Sequence, residues 1–193
     1  MQSVVVFCGS SSGNDERFVA QATQLGETLA RERITLVYGG ARIGLMGAVA
    51  DGALNAGGKV VGVLPRFLQS KEIAHAGLSE LHLVDSMHER KLLMNELCDG
   101  AIALPGGFGT LEEFFEMLTW AQLGLHHKPV ALLNVANFYD PLLALIQHMV
   151  DSALLKPVNQ SMLLSSNDIA TLLALMRNYQ APVVPKWITP TST

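Results

Sequence analysis

Cysteine is almost absent from these 193 residues, and that scarcity is the first constraint on what the chain does. Cys8 and Cys98 lie far apart with neither CxxC spacing nor an even framework of bridges, so a disulfide scaffold is excluded and both read as buried thiols in a reducing compartment. Positive charge is also short, 13 basic against 17 acidic residues for a net −4. Both signs are mixed along the chain, so no basic stripe exists to bind nucleic acid by counterion release. A small anion remains possible, because it needs only a few cations gathered locally. No stretch reaches the roughly 20 apolar residues of a membrane span. The apolar run in "MQSVVVFCGSS" stops at Cys8 and has no basic leader, which points to the cytoplasm. The histidines His75, His82, His88, His126, His127 and His148 show no HExxH spacing, and adjacent ones face different directions, so no metal is expected.

What is present is alternation. Apolar or β-branched runs recur at 3–8, 34–38, 59–64, 101–104 and 129–133, with a further candidate at 81–85. Between them lie segments with helical periodicity: one starting near Asn14 and Asp15 with Phe18, Ala22, Leu25 and Leu29 on one face, one from Gly44 to Ala56, and later ones over 86–98, 110–123, 138–152 and 167–178. The pattern predicts a Rossmann-like, doubly wound α/β fold, a mainly parallel sheet with helices on both faces. A length of 193 residues suits one domain, spanning 1–180, followed by a proline-containing tail over 181–193.

Parallel sheets bind ligands at the carboxyl ends of their strands. Three loops predicted there are rich in glycine or serine: "GSSSG" (9–13), "GGARIG" (39–44) and "PGGFG" (105–109). No GxGxxG is present, and strand two ends "VYGG" with no acid for a ribose 2′-hydroxyl, which argues against a dinucleotide. Leu45 and Met46 stand where a P-loop needs Lys and Ser or Thr. In "ALPGGFGTLEEFFEML" (103–118), Gly106, Gly107 and Gly109 can turn their amides toward one point, with Thr110 as N-cap, and a single phosphate fits such a nest. Glu113 has two readings. It folds back on the Thr110 amide in a capping box, or it points into the crevice as a carboxylate kept ionised by the helix terminus. Glu116, one turn on, reads as a solvated or supporting group. In "SMHERKLLMNELC" (86–98), Arg90 and Lys91 fall on the apolar stripe of Met87, Leu93, Met94, Leu97 and Cys98, a costly place for cations without a partner or ligand.

Together, "YGGARIGLMG" (38–47), "KEIAH" (71–75), "MHERK" (87–91), "PGGFGTLEE" (105–113) and "TWAQLGLHHKPVALLN" (119–134) resemble the LOG (Lonely Guy) family of cytokinin nucleoside 5′-monophosphate phosphoribohydrolases, often mislabelled as lysine decarboxylases. The resemblance implies that Arg90 and Glu113 are the catalytic pair and that Arg90 and Lys91 contact the nucleotide. It implies that Gly106, Gly107, Phe108, Gly109, Thr110, Leu111, Glu112 and Glu113 surround phosphate and ribose. Glu72 and Thr119 would join the binding site, while Ser10 and the loop through Gly40, Gly44 and Gly47 would line the crevice. Ala41 stands where the family usually has a third glycine, and Phe108 where tyrosine is common. The implied reaction cleaves the N-glycosidic bond of an adenosine 5′-monophosphate, giving free base and ribose 5-phosphate without a cofactor. Glu113 would stabilise an oxocarbenium-like state and activate water, and Arg90 would hold phosphate or ribose and support the leaving purine.

Two other classes compete. A decarboxylase needs a pyridoxal-phosphate lysine, and Lys59, Lys71, Lys91, Lys128, Lys156 and Lys186 offer none in a convincing setting. A non-catalytic nucleotide or cofactor carrier of the same fold, or a general AMP nucleosidase, stays open. The apolar segments 117–125 and 142–150 predict a homodimer or larger assembly that packs helices.

Overall fold

A computed structural model describes residues 1–69 and 74–183. Of the segments singled out above, Glu72 within "KEIAH" and most of the tail lie outside the described residues.

The strands are β1 (Ser3–Phe7), β2 (Thr35–Tyr38), β3 (Val60–Pro65), β4 (Glu80–Val84), β5 (Ala101–Ala103), β6 (Val130–Leu133) and β7 (Leu163–Ser166). They form one sheet in the order β4-β3-β2-β1-β5-β6-β7, and every pairing is parallel. β1 sits at the centre, with Val5 beside Val37 on one flank and Ala101 on the other. Both sheet faces are covered, which is why the strands read as continuous apolar runs. Val4, Val6 and Cys8 face one core layer with Leu25, Leu29, Leu45 and Val49. Val5 and Phe7 face the other with Met94, Phe114 and Met117.

The helices are α1 (Glu16–Arg31), α2 (Gly44–Asn55), α3 (Arg66–Gln69), α4 (Met87–Glu96), α5 (Phe108–Gln122), α6 (Asp140–Asp151), α7 (Pro157–Gln160) and α8 (Ile169–Arg177), with a 3-10 turn at Val135–Asn137. Asp15 caps α1 by accepting the Arg17 amide at 2.9 Å, as its position ahead of the apolar face predicts. α1 and α2 pack unusually close because glycines face backbone at their crossing. A Cβ on Gly26 would stand 2.1 Å from the Val49 carbonyl oxygen, and one on Gly52 would stand 2.3 Å from that of Thr23.

Four elements differ from the sequence reading. β7 was not expected, because "LLSS" carries no β-branched residue and, at the sheet edge, is only half-buried. α3 and α7 are single turns too short for periodicity to mark. α5 starts three residues earlier than the Thr110 cap implied, with Gly107 at its N-cap.

The chain winds outward from β1 through β4 and then returns to place β5 on β1's other side. The loops after β1 and β5 therefore part at the centre of the sheet, and their divergence opens a crevice. The glycine crossing holds α2 against α1, behind that crevice. Gly26→Ala is expected to cost about 1–3 kcal/mol by overpacking against a carbonyl that cannot turn aside. A urea midpoint lowered at constant slope would register it.

Candidate active site

The approach to α5 is built to leave amides bare. Gly106 has no room for a side chain, since its Cβ would stand 2.1 Å from Thr110 Oγ1. Gly107 is the N-cap and supplies no side-chain hydrogen bond, and the first helical bond runs from the Leu111 amide to the Gly107 carbonyl at 3.1 Å. The amides of Phe108, Gly109 and Thr110 thus lack intrahelical acceptors. No atom stands within 4 Å of where a Cβ of Gly107 or Gly109 would be, so an anion can approach closely. Thr110 is not the cap. Its side chain is buried against Gly106, and with it goes the capping box expected with Glu113. A capping arrangement forms instead on α4, where Ser86 accepts the Glu89 amide and Glu89 accepts that of Asp85.

Glu113 faces Arg90. The guanidinium Nη1 donates to Glu113 Oε1 at 2.8 Å while Nε donates to the Val63 carbonyl at 3.1 Å, so one arginine spans from the end of β3 to α5. The two side chains are only 12% and 11% exposed, so this is a pair withdrawn from water. Gly39 makes room for it, because a Cβ there would lie 2.2 Å from Arg90 Nη2. Burial raises the Glu113 pKa above the ordinary carboxylate value. Arg90 and Lys91 oppose that rise, and Glu112 and Glu116 add to it. The expectation that the helix terminus keeps this acid more ionised than usual is therefore corrected: Glu113 stands beyond the first turn, where the dipole has faded. Beneath the pair, Cys8 is buried and held as a neutral thiol, its pKa raised first by burial and then by the Glu113 charge.

A cavity of about 310 Å³ opens over this pair. Of the residues singled out from sequence, it brings together Ser10, Arg90, Gly107, Phe108, Gly109, Thr110, Glu112 and Glu113. Val6, Phe7, Cys8, Gly9, Gly39, Met46 and Met87 also line it and were not named as binding residues, although Gly9 and Gly39 open two of the loops expected at the site. Met87 was legible only as part of the α4 apolar stripe. Gly106 borders the neighbouring chamber. Gly40, Gly44, Gly47, Lys91, Leu111 and Thr119 lie outside the lining. Gly44, at φ 57°, lets the start of α2 touch the backbone of Ser10, and Gly47 packs on the Arg42 carbonyl. Gly40 accepts the His75 amide. Leu111 packs into the core layer under α5, and the Thr119 hydroxyl donates to the Phe115 carbonyl at 2.7 Å.

Lys91 is turned onto α5, where its Nζ donates to Glu112 at 2.5 Å and Glu116 at 3.0 Å. Burial pulls its ammonium pKa down, and the two carboxylates outweigh that and leave it above the ordinary value. His126 is structural: one ring nitrogen meets the Met117 carbonyl and the other accepts the Lys128 amide. Burial lowers its pKa to about 4, so it stays neutral. Among the described residues no cluster of three His, Cys, Asp or Glu side chains is placed to hold a metal ion. The chemistry on offer is a seat for an anion, a buried carboxylate and a guanidinium that holds it.

Residues 46–176 match the family described as "Possible lysine decarboxylase". The cytokinin riboside 5′-monophosphate phosphoribohydrolase of Rhodococcoides fascians is 49% identical over 178 residues, 92% of this chain and 90% of that protein. An Arabidopsis thaliana protein of the same name is 44% identical over 177 residues, 92% of this chain and 82% of its own. Among solved structures, the molybdenum cofactor binding protein of Rippkaea orientalis superposes with a TM-score of 0.70 at 21% identity, covering 92% of this chain and 96% of its own. The molybdenum cofactor carrier protein of Chlamydomonas reinhardtii superposes with a TM-score of 0.67 at 19% identity, covering 91% and 95%. At such identities the shared property is the fold. With the curated relatives matched over nine-tenths of its length, the chain belongs to the LOG family.

Proposed function

We propose that this protein is an N-glycosyl hydrolase that cleaves cytokinin-type adenosine 5′-monophosphates to free base and ribose 5-phosphate. The observation that carries the reading is the Arg90–Glu113 pair lining the same cavity as the bare N-terminus of α5. The phosphate sits on the amides of Phe108, Gly109 and Thr110. Glu113 follows about 9 Å along the helix axis from Gly107, a separation that leaves room for a ribose between the anion and the acid. There the Glu113 carboxylate takes a proton from water as the water oxygen bonds to the anomeric carbon. The bond from that carbon to the purine nitrogen breaks, its electron pair leaves with the base, and the proton follows it. Positive charge gathering on the sugar is stabilised by the carboxylate. Arg90 acts through Glu113, fixing its orientation.

A carrier needs the glycine nest but has no need of a buried acid beside it. Lysine decarboxylation through a Schiff base requires a neutral amine, whereas Lys91 is held charged by two glutamates. The expected homodimer finds support in Leu92 and Leu145, which stand about half-exposed on α4 and α6. For the cytoplasmic assignment, the support is that no helix among the described residues is long and apolar enough to cross a membrane.

Glu113→Gln preserves size and an oxygen to face Arg90 but removes the base. Its kcat for base release should fall about 10²–10⁴-fold, while AMP binds within about threefold of wild type. Chromatography of released base and calorimetric titration read the two quantities, and near-normal turnover would refute the assignment. The active form of Glu113 is the deprotonated one and its pKa is raised, so activity is lost as pH falls through a value higher than the roughly 4.3 of an ordinary glutamate. Lys91→Met removes a charge that lowers this pKa, so the acidic limb of kcat/KM should move to still higher pH.

A further inference from the structure

A small cavity of about 10 Å³ lies further along α5 than the catalytic one, and the hydrolysis above makes no use of it. Phe7 and Glu113 line both, so the acid stands between them. Lys91 and Glu116 supply the rest of the polar wall, and Met117 and Trp120 close it. Such a volume is about what a single water occupies, and a buried water is held where two to four polar groups converge on it. Glu113, Lys91 and Glu116 converge here.

Each of them is held by contacts of its own. Arg90 Nη1 donates to Glu113 Oε1 at 2.8 Å, and Lys91 Nζ donates to Glu116 Oε1 at 3.0 Å and to Glu112. Glu113 and Glu116 share a face of α5 through their helical spacing, and Lys91 reaches over from α4. Their hydrogen-bonding capacity matches that of a water. An ammonium has three donors, of which Glu112 and Glu116 take two among the described residues. A carboxylate has about four acceptor sites, and Arg90 fills one on Glu113. A water can accept from the ammonium and donate to both carboxylates. Buried charges recover their desolvation cost only when such remaining sites are met.

We propose that this cavity is the site of one structural water that accepts from Lys91 and donates to Glu113 and Glu116, and that Glu116 is a positioning residue acting on Glu113 through it. The inference deepens the hydrolase reading and rests on it for the role of Glu113. Donation to the carboxylate fixes its orientation and favours its ionised form, the one that takes the proton from the attacking water.

Glu116 also acts by its charge. Burial is the main cause that raises the Glu113 pKa, Arg90 and Lys91 on α4 oppose it, and Glu112 and Glu116 on α5 add to it, with the neutral Cys8 thiol beneath. Two neutral replacements remove that charge equally and differ in what they offer the water. Glu116→Gln keeps an acceptor oxygen, Glu116→Met does not, and Glu112 still pairs Lys91 in both. For each protein kcat and KM for N6-isopentenyl-AMP are measured against pH, Glu113 is titrated through its carboxyl NMR shift, and the crystal structure is determined. In Glu116→Gln the Glu113 pKa and the acidic limb of kcat/KM should move down from wild type, the direction that loss of a like charge gives. In Glu116→Met both should lie at least about one pH unit above the Gln variant, the effect of one hydrogen bond to a charged group. Its plateau kcat should fall about fivefold or more while KM stays within about twofold of wild type. One ordered water should bridge Glu113 and Glu116 in wild type and bridge Glu113 to the amide in Glu116→Gln, and none should do so in Glu116→Met. Equal Glu113 pKa values in the two variants, or a dry cavity in wild type, would overturn the proposal while leaving hydrolysis standing. Release of base by none of the proteins would overturn the parent reading, and the titrations and structures would still decide the water on their own.

Discussion

Burying two opposite charges against each other is the constraint around which the rest of this molecule is arranged. Arg90 and Glu113 come from helices on either side of β5 in sequence, and each is almost fully withdrawn from water. A buried ion pair recovers its desolvation cost only when its remaining hydrogen-bonding groups are also met. Here the Val63 carbonyl takes one further guanidinium proton, and the bare Gly39 leaves the space in which the group lies flat. The sheet supplies both: Val63 and Gly39 stand at the carboxyl ends of adjacent parallel strands.

The pair has a cost that points to function. A carboxyl whose folded pKa is raised binds its proton more readily folded than unfolded. At neutral pH its charge therefore subtracts from stability, and the loss is relieved as pH falls through the window above the ordinary value. A fold selected for stability alone has no reason to keep an acid in such a place. Lys91, clasped by Glu112 and Glu116, belongs to the same arrangement, because it sets a fixed positive charge near Glu113 without entering the cavity. Cys8 stays neutral beneath the pair and adds no competing anion.

Much of this was legible in the chain, for reasons that also explain what was not. Strands buried on both faces advertise themselves as unbroken apolar runs, so β1, β2, β3, β5 and β6 are visible, whereas the half-exposed "LLSS" of β7 resembles a loop. Two cations on the apolar stripe of α4 announced a partner, since periodicity fixes which side chains share a face. It cannot say which distant carboxylates come to meet them. Arg90 therefore finds Glu113, while Lys91, one residue on, finds Glu112 and Glu116 and stays off the catalytic cavity's wall. Local capping rules placed Thr110 at the start of α5. Tertiary packing overrode them by burying that threonine on Gly106 and leaving a glycine as the cap. Gly39 was visible only as part of a glycine-rich loop, and its role in making room for an arginine fifty-one positions away carries no local signal.

On the proposed function, a helix that seats an anion and also carries a catalytic carboxylate faces a conflict of like charge, which the geometry of α5 would resolve by distance. At about 9 Å, two unit charges repel by about 0.5 kcal/mol in water and about 2 kcal/mol at an effective dielectric near 20. Arg90 touches the carboxylate at 2.8 Å, where its attraction exceeds that repulsion severalfold in the same medium. Had the acid stood in the first turn, as its neighbour Glu112 nearly does, it would occupy the ground the anion needs. Placed one turn deeper and screened by the guanidinium, it stands where the middle of the proposed phosphosugar would lie. One helix can then hold both ends of that ligand, and the loop after β1 is left to meet whatever the sugar carries.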